Sequence, residues 1–190
     1  MSGDHFHVHG PHDHEVEHAA GSGDPLAGRI ALMTAIFATI GALYGYMAGA
    51  TQNDALLFKN EAAIRTLEAS DQWNFYQAKS SKQNLAELGA TLTTGDTQAR
   101  YLKEIERYKK EKEEIMVAAK KLEVAGKEAG ALSAASMHVH HRWAQAMMLI
   151  QIAIALAAIT ILTRNKAIGI GGIAVGAVSI LIGALAFLHV

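Results

Sequence analysis

The side chains best suited to chemistry stand near the start of the chain. His5, His7, His9, His12, His14 and His18 fall in one short run that also holds Asp13, Glu15 and Glu17. Neutral imidazole is a good ligand for zinc, copper or nickel, and the alternation His5, His7, His9, with His12 and His14 close behind, makes a flexible chelator. The plainer account is a solvated polar tail with adventitious metal affinity. A second cluster, His138, His140 and His141, directly precedes an apolar block. Imidazoles there suit a pH-sensitive or interfacial role, and a simple membrane-interface cluster is the plainer account.

A third candidate is recognition rather than reaction. Residues 69–83 are dense in large polar and aromatic side chains, with Trp73, Phe75, Tyr76 and Gln77 followed by Lys79 and Lys82. Exposed aromatics flanked by cations are typical interface anchors. The alternative is that Trp73 packs inside the chain and fixes the register of two helices. Enzymatic constellations do not assemble. Ser80, Ser81, Ser133 and Ser136 are small residues in helical patterns, and Glu104, Glu111 and Glu114 have lysine neighbours and no reason to be buried. The Gly169–Gly172 run opens an apolar block instead of joining a strand to a helix, so it is not a phosphate-binding loop. The chain has no cysteine, which excludes disulfides, zinc–thiolate sites, thiol catalysis and iron–sulfur clusters. Lys+Arg 17 against Asp+Glu 18 gives no net attraction to nucleic acid. The expectation is a protein that is not an enzyme and carries no cofactor beyond zinc, copper or nickel on the tail.

The elements that position these residues follow from where the apolar side chains lie. The hydrophobic fraction of 51% is unevenly placed, in three blocks, with the charge concentrated between the first and the second. Residues 1–28 cannot bury enough apolar surface to fold alone and predict a mobile tail. They lack the basic start of a secretory signal. Both prolines lie before the first apolar block, so long unbroken helices are permitted after it. Residues 29–50 predict a first spanning helix, about the 20 apolar residues a bilayer requires. Gly41, Gly45 and Gly49 repeat every fourth residue there and mark a face for close backbone packing.

Residues 51–143 predict an antiparallel helical hairpin outside the bilayer, turning near 93–96, where Thr93, Thr94, Gly95 and Asp96 supply turn and cap chemistry. The first arm's seam reads as Asn60, Ala63, Leu67, Ser70, Asn74, Ala78, Ser81, Leu85, Leu88 and Leu92, with a stutter where two four-residue steps follow each other. The second arm's seam reads as Tyr101, Ile105, Tyr108, Lys112, Ile115, Ala119, Leu122, Gly126, Ala129, Ser133 and Ser136, in strict alternation of four and three. Counting outward from the turn pairs Leu88 with Leu102, Leu85 with Ile105, Leu67 with Leu122 and Ala63 with Gly126. The alternating charges of Lys109–Glu114 read as a solvated face.

Residues 144–163 predict a second span, preceded by Trp143 where an interfacial aromatic belongs, with Gln151 placed for a helix-to-helix hydrogen bond. Residues 164–190 predict a tight basic loop and a third span rich in glycine. The spans carry no ionisable residue of the kind a transporter uses. Arg164 and Lys166 in the tight loop, with Arg29 before the first span, place those ends in the cytoplasm and residues 51–143 outside, in the periplasm of a bacterium. The whole is then an all-α integral inner-membrane protein with three transmembrane helices. Its partners are the lipid bilayer and either a second copy of itself or a membrane complex. Gly41, Gly45, Gly49, Trp73, Tyr76, Gln77 and Lys79 are the expected interface residues. The alternatives are metal handling through the tail, or an oligomeric channel.

Three strings carry a family resemblance. Ser70 to Ser80, reading Ser-Asp-Gln-Trp-Asn-Phe-Tyr-Gln-Ala-Lys-Ser, the Tyr108 to Ile115 run, and Gln151 to Ile159 resemble the bacterial membrane-protein family known as domain of unknown function 4337. The resemblance runs from about Arg29 to the C-terminus. It implies three spans and a long polar helical insert, and no activity, cofactor or catalytic residue. The His-rich tail departs from the family pattern.

Overall fold

The computed structural model describes residues 25–188. These residues form three helices and no strand: α1, Pro25–Leu92; α2, Gly95–Thr163; and α3, Lys166–Phe187. Pro25 lies in the first described turn of α1, where its missing N–H costs no bond to a described carbonyl. No later proline interrupts the backbone ladder, so α1 and α2 run for 68 and 69 residues. Each of the three helices contains a stretch long and apolar enough to cross a membrane.

Two short breaks separate the helices. Between α1 and α2, Thr93 Oγ1 donates to Gly89 O at 2.7 Å, and Gly95 takes φ +65°, a left-handed conformation open to glycine without a Cβ penalty. Between α2 and α3, Arg164 takes φ 54° and its N–H donates to Thr160 O at 2.8 Å. Asn165 then caps α3, its Oδ1 accepting from Ala167 N at 3.0 Å.

The described residues divide into two compact units, one of residues 25–52 with 137–188, the other of residues 53–136. In the first, α1 turns Ile30, Thr34, Phe37, Gly41, Tyr44 and Ala48 inward, in steps of four and three. α3 buries Gly172, Gly176, Ser179, Gly183 and Ala186 in the same alternation. The two patterns fit each other. The Phe37 ring lies where a Cβ at Gly176 would stand, and the Tyr44 ring, one heptad on, lies where a Cβ at Gly183 would stand. Between them, Ser179 Oγ donates to Ala146 O on α2 at 2.7 Å, so the buried hydroxyl is satisfied. Ile150 and Ala153 of α2 are fully buried, and Thr34 and Thr160 return their hydroxyls to the carbonyls of Ile30 and Leu156. Trp143, expected as an interfacial aromatic, turns its ring into the chain. It is only 4% exposed and packs against Tyr44, ring centroids 5.5 Å apart, because α1 presents an aromatic partner at that level.

In the second unit, rising numbers on α1 meet falling numbers on α2. Gln98 Nε2 donates to Ala90 O at 2.9 Å, Lys79 pairs with Glu111, and Ser133 Oγ donates to Ala55 O at 2.8 Å. The second arm's expected seam holds at every position: from Tyr101 to Ser136 none of the eleven residues is exposed. The first arm's does not. All ten residues from Asn60 to Leu92 expected there are exposed, and the shielded row is Ala55, Phe58, Ala62, Arg65, Ala69, Gln72, Tyr76, Lys79, Gln83, Ala86 and Ala90, flanked by Trp73, Ser80 and Gly89. The row alternates three and four without a stutter. It counts in the same seven-residue register as the inward positions of α1 in the other unit.

The reason is volume. α2 brings bulk to the seam with Tyr101, Ile105 and Tyr108, and α1 receives it on alanines: Ala86 and Ala90 pack on Ile105. Near the other end the small residue is on α2, where a Cβ at Gly126 would stand 3.3 Å from Thr66 Oγ1 and 3.5 Å from Ala62 O. The expected pairings were therefore close in register and wrong in face, since one residue turns a helix by about 100°. Ile105 meets Ala86 and Ala90 in place of Leu85, and Gly126 meets Ala62 in place of Ala63.

Candidate functional site

The middle of the second unit carries its densest polar and aromatic side chains. Trp73 is half-buried and donates from Nε1 to Glu123 Oε1 at 2.8 Å. Its ring meets Tyr76 edge-on, centroids 5.5 Å apart at 72°. Lys112 of α2 lies over the Tyr76 ring at 5.1 Å. Lys79 pairs with Glu111 and sits 5.6 Å from the Tyr108 ring, whose centroid is also 4.9 Å from the Arg107 guanidinium. The hydrogen bond from Lys79, with the charges of Lys79, Arg107 and Lys82, holds the Glu111 carboxyl below its ordinary value.

This cluster is built from both helices, and it absorbs three side chains expected to face a partner. Tyr76 and Lys79 occupy the seam and Trp73 flanks it. Gln77 is exposed on α1. A polar layer in the seam fixes register: sliding either helix by one heptad would separate Lys79 from Glu111 and Trp73 from Glu123 together. Its contacts are positional: Lys79 engages Glu111, Lys112 the Tyr76 ring and Glu123 the Trp73 indole, all across the two helices.

The glycines of α1 separate in the same way. A Cβ at Gly41 would stand 3.1 Å from Ile150 Cγ2, and one at Gly45 would stand 3.5 Å from Met147. These two therefore admit α2 of the same chain. Gly49 is exposed with nothing within 4 Å.

What remains free is the opposite face of α1. In the second unit Leu57, Ile64, Leu67, Leu85, Leu88 and Leu92 point away from α2, at 59%, 54%, 67%, 69%, 54% and 76% exposure. With Asn60, Asp71, Asn74, Ala78 and Ser81 between them, they again alternate three and four. At the α2 end of this face Leu85, Leu88 and Leu92 border a groove of about 480 Å³ whose other wall is Tyr101, Glu104 and Tyr108. The sequence holds the signal for this face, since Leu67, Leu85, Leu88 and Leu92 are the leucines assigned to the intrachain seam.

In the first unit, Gln151 is exposed midway along an apolar stretch of α2, and its amide makes no hydrogen bond among the described residues. The expected helix-to-helix bond through Gln151 is thus not made among the described residues. His140 donates from Nδ1 to Ala48 O at 2.8 Å, the carbonyl being able only to accept. The described residues contain no group of His, Asp and Glu arranged to hold a metal ion. His5, His7, His9, His12 and His14, the metal candidates, lie outside the described residues.

Comparison with known proteins gives a family and no activity. Residues 26–189 match the family model described as Domain of unknown function (DUF4337). No curated protein and no protein of solved structure shows significant similarity.

Proposed function

The chain belongs to the DUF4337 family, and on that premise we propose that it is a non-enzymatic integral membrane protein that assembles with further copies of itself, or as an accessory subunit of a membrane complex, through its paired helices. Residues 30–50, 144–163 and 167–187 cross the bilayer, and residues 53–136 form an antiparallel helical hairpin outside it. Arg164 and Lys166, with Arg29, set the tight loop and the N-terminus in the cytoplasm of a bacterial inner membrane, leaving the hairpin in the periplasm.

The observation that carries this reading is the exposed leucine face of α1. Copies held in one membrane approach with parallel α1 helices. Like positions then meet: Leu57, Ile64, Leu67, Leu85, Leu88 and Leu92 against their own counterparts, with Asn60 and Asn74 as polar pairs that select one register. Gln151 supports it from within the apolar part, where an amide without a partner is costly and a second copy supplies one.

The absence of cysteine makes the test direct. Leu67→Cys and Leu85→Cys, oxidised in native membranes, should give a disulfide-linked dimer, and Lys103→Cys on the outer side of α2 should give little. Equal crosslinking at all three positions would mean random collision and would end the self-association reading. Labelling of the same cysteines by a membrane-impermeant maleimide in intact cells reports the side of the membrane.

A further inference from the structure

The first unit contains no carboxylate among its described residues, while carrying Arg29, Arg142, Arg164 and Lys166. Arg142 stands beside a cavity. A space of about 420 Å³ is lined by His138, His141, Arg142 and Gln145 of α2 and by Ile182 and Leu185 of α3. Arg142 is half-buried and forms no ion pair among the described residues. The cavity thus has a wall of N–H donors and a wall of aliphatic side chains. Its lining residues Arg142 and Gln145 are the sequence neighbours of the buried Trp143 and Ala146, where α2 passes from its histidines into its apolar stretch.

That combination selects a ligand class. Arg142 offers a planar fork of donors, suited to two oxygens of a phosphate. His138 and His141 each keep an N–H to donate whether neutral or charged, and the Gln145 amide adds another. Ile182 and Leu185 offer nothing to a hydrated ion, and they suit the start of an acyl chain. A metal cation is disfavoured by the guanidinium and by the lack of a carboxylate among the described residues of this unit. We infer that this cavity holds the phosphodiester of an anionic glycerophospholipid, with Arg142, His138, His141 and Gln145 on the phosphate and the lipid's glycerol and first methylenes against Ile182 and Leu185.

The inference rests on the proposed insertion of the three apolar stretches in a bilayer, and goes beyond it by assigning a specific lipid site. It is tested on the full chain in detergent, by native mass spectrometry with added phosphatidylglycerol. The wild-type protein should retain the lipid, and Arg142→Gln should weaken retention about tenfold, the loss of one charge-assisted contact. His141→Leu, at an exposed position, should weaken it by a smaller factor. Arg29→Gln, outside the cavity, should leave it unchanged. Circular dichroism confirms that each variant is folded. Equal losses in Arg142→Gln and Arg29→Gln would show diffuse attraction and overturn the site. Equal retention of phosphatidylcholine would overturn the charge argument. Displacement by millimolar inorganic phosphate would assign the cavity to free phosphate and overturn the lipid. Failure of the protein to integrate into membranes, read by carbonate extraction, would instead defeat the insertion on which this site depends.

Discussion

Replacing Gly176 with alanine sets two effects of known size against each other. Helix propensity favours alanine by about 1 kcal/mol. The structure opposes it. A Cβ at this position would stand 2.8 Å from Phe37 Cε2 and 3.2 Å from Cε1, well inside the roughly 3.5–4.0 Å of a carbon–carbon contact. Phe37 is only 7% exposed, so its ring has little room to retreat. Overpacking of this kind costs about 1–3 kcal/mol. Gly171 is the internal control: it lies in the same helix, five residues away, with nothing within 4 Å of its Cβ direction. The propensity gain is common to both substitutions, so the difference between Gly176→Ala and Gly171→Ala reports the clash alone. For a chain of this size that difference corresponds to a melting temperature lower by about 2–12 °C. The assay is thermal unfolding of the purified full-length chain in detergent, followed by circular dichroism. Gly183→Ala, which meets the Tyr44 ring, should behave like Gly176→Ala. Phe37→Leu should remove part of the clash in the Gly176→Ala background. If Gly176→Ala melts with or above Gly171→Ala, the fitting of Phe37 and Tyr44 onto the α3 glycines is wrong.

Two further outcomes concern the second unit. The Glu111 carboxyl is more acidic folded than unfolded, held so first by its hydrogen bond from Lys79, so its stabilising contribution is complete above the ordinary glutamate range and lost as pH falls through the folded value. Thermal melts from about pH 6 down to about pH 3 should therefore show a smaller fall for Glu111→Gln than for the wild type, and parallel curves would remove this residue from the acid response. Gly89→Ala should destabilise, because its Cβ would stand 2.7 Å from Tyr101 Cζ, whereas Gly130→Ala, with nothing within 4 Å, should raise stability by up to about 1 kcal/mol; matched denaturation of the two variants decides it.

The polar layer of the second unit was half legible in the sequence. Its residues stand out as the only aromatic-rich string in a polar region, and a role for Trp73 in fixing register was one of two readings. What remained hidden was the face. Lys79 and Glu111 lie on different helices, and their pairing appears only when α1 is turned so that its alanines meet α2. Gly41 and Gly45 were legible as a close-packing face, but not what fills it: a glycine reports a missing side chain, and Ile150 and Met147 are supplied by another helix.

The sequence by itself determined the helical class and the three apolar stretches, because a run without charge or proline long enough to span a bilayer has few other structures available to it. It also determined the seam of α2, where Tyr101, Ile105, Tyr108 and Ile115 keep one heptad frame with charges on the other faces. On α1 the sequence reading took the leucine-bearing frame as the seam, while a frame of alanines, also alternating three and four, lies beside it. Only the tertiary structure decided between them. A helix pair buries the face whose volumes complement its partner, and with bulk already on α2 the alanines went inside and the leucines were left outside. That outcome creates the surface on which the proposed assembly depends.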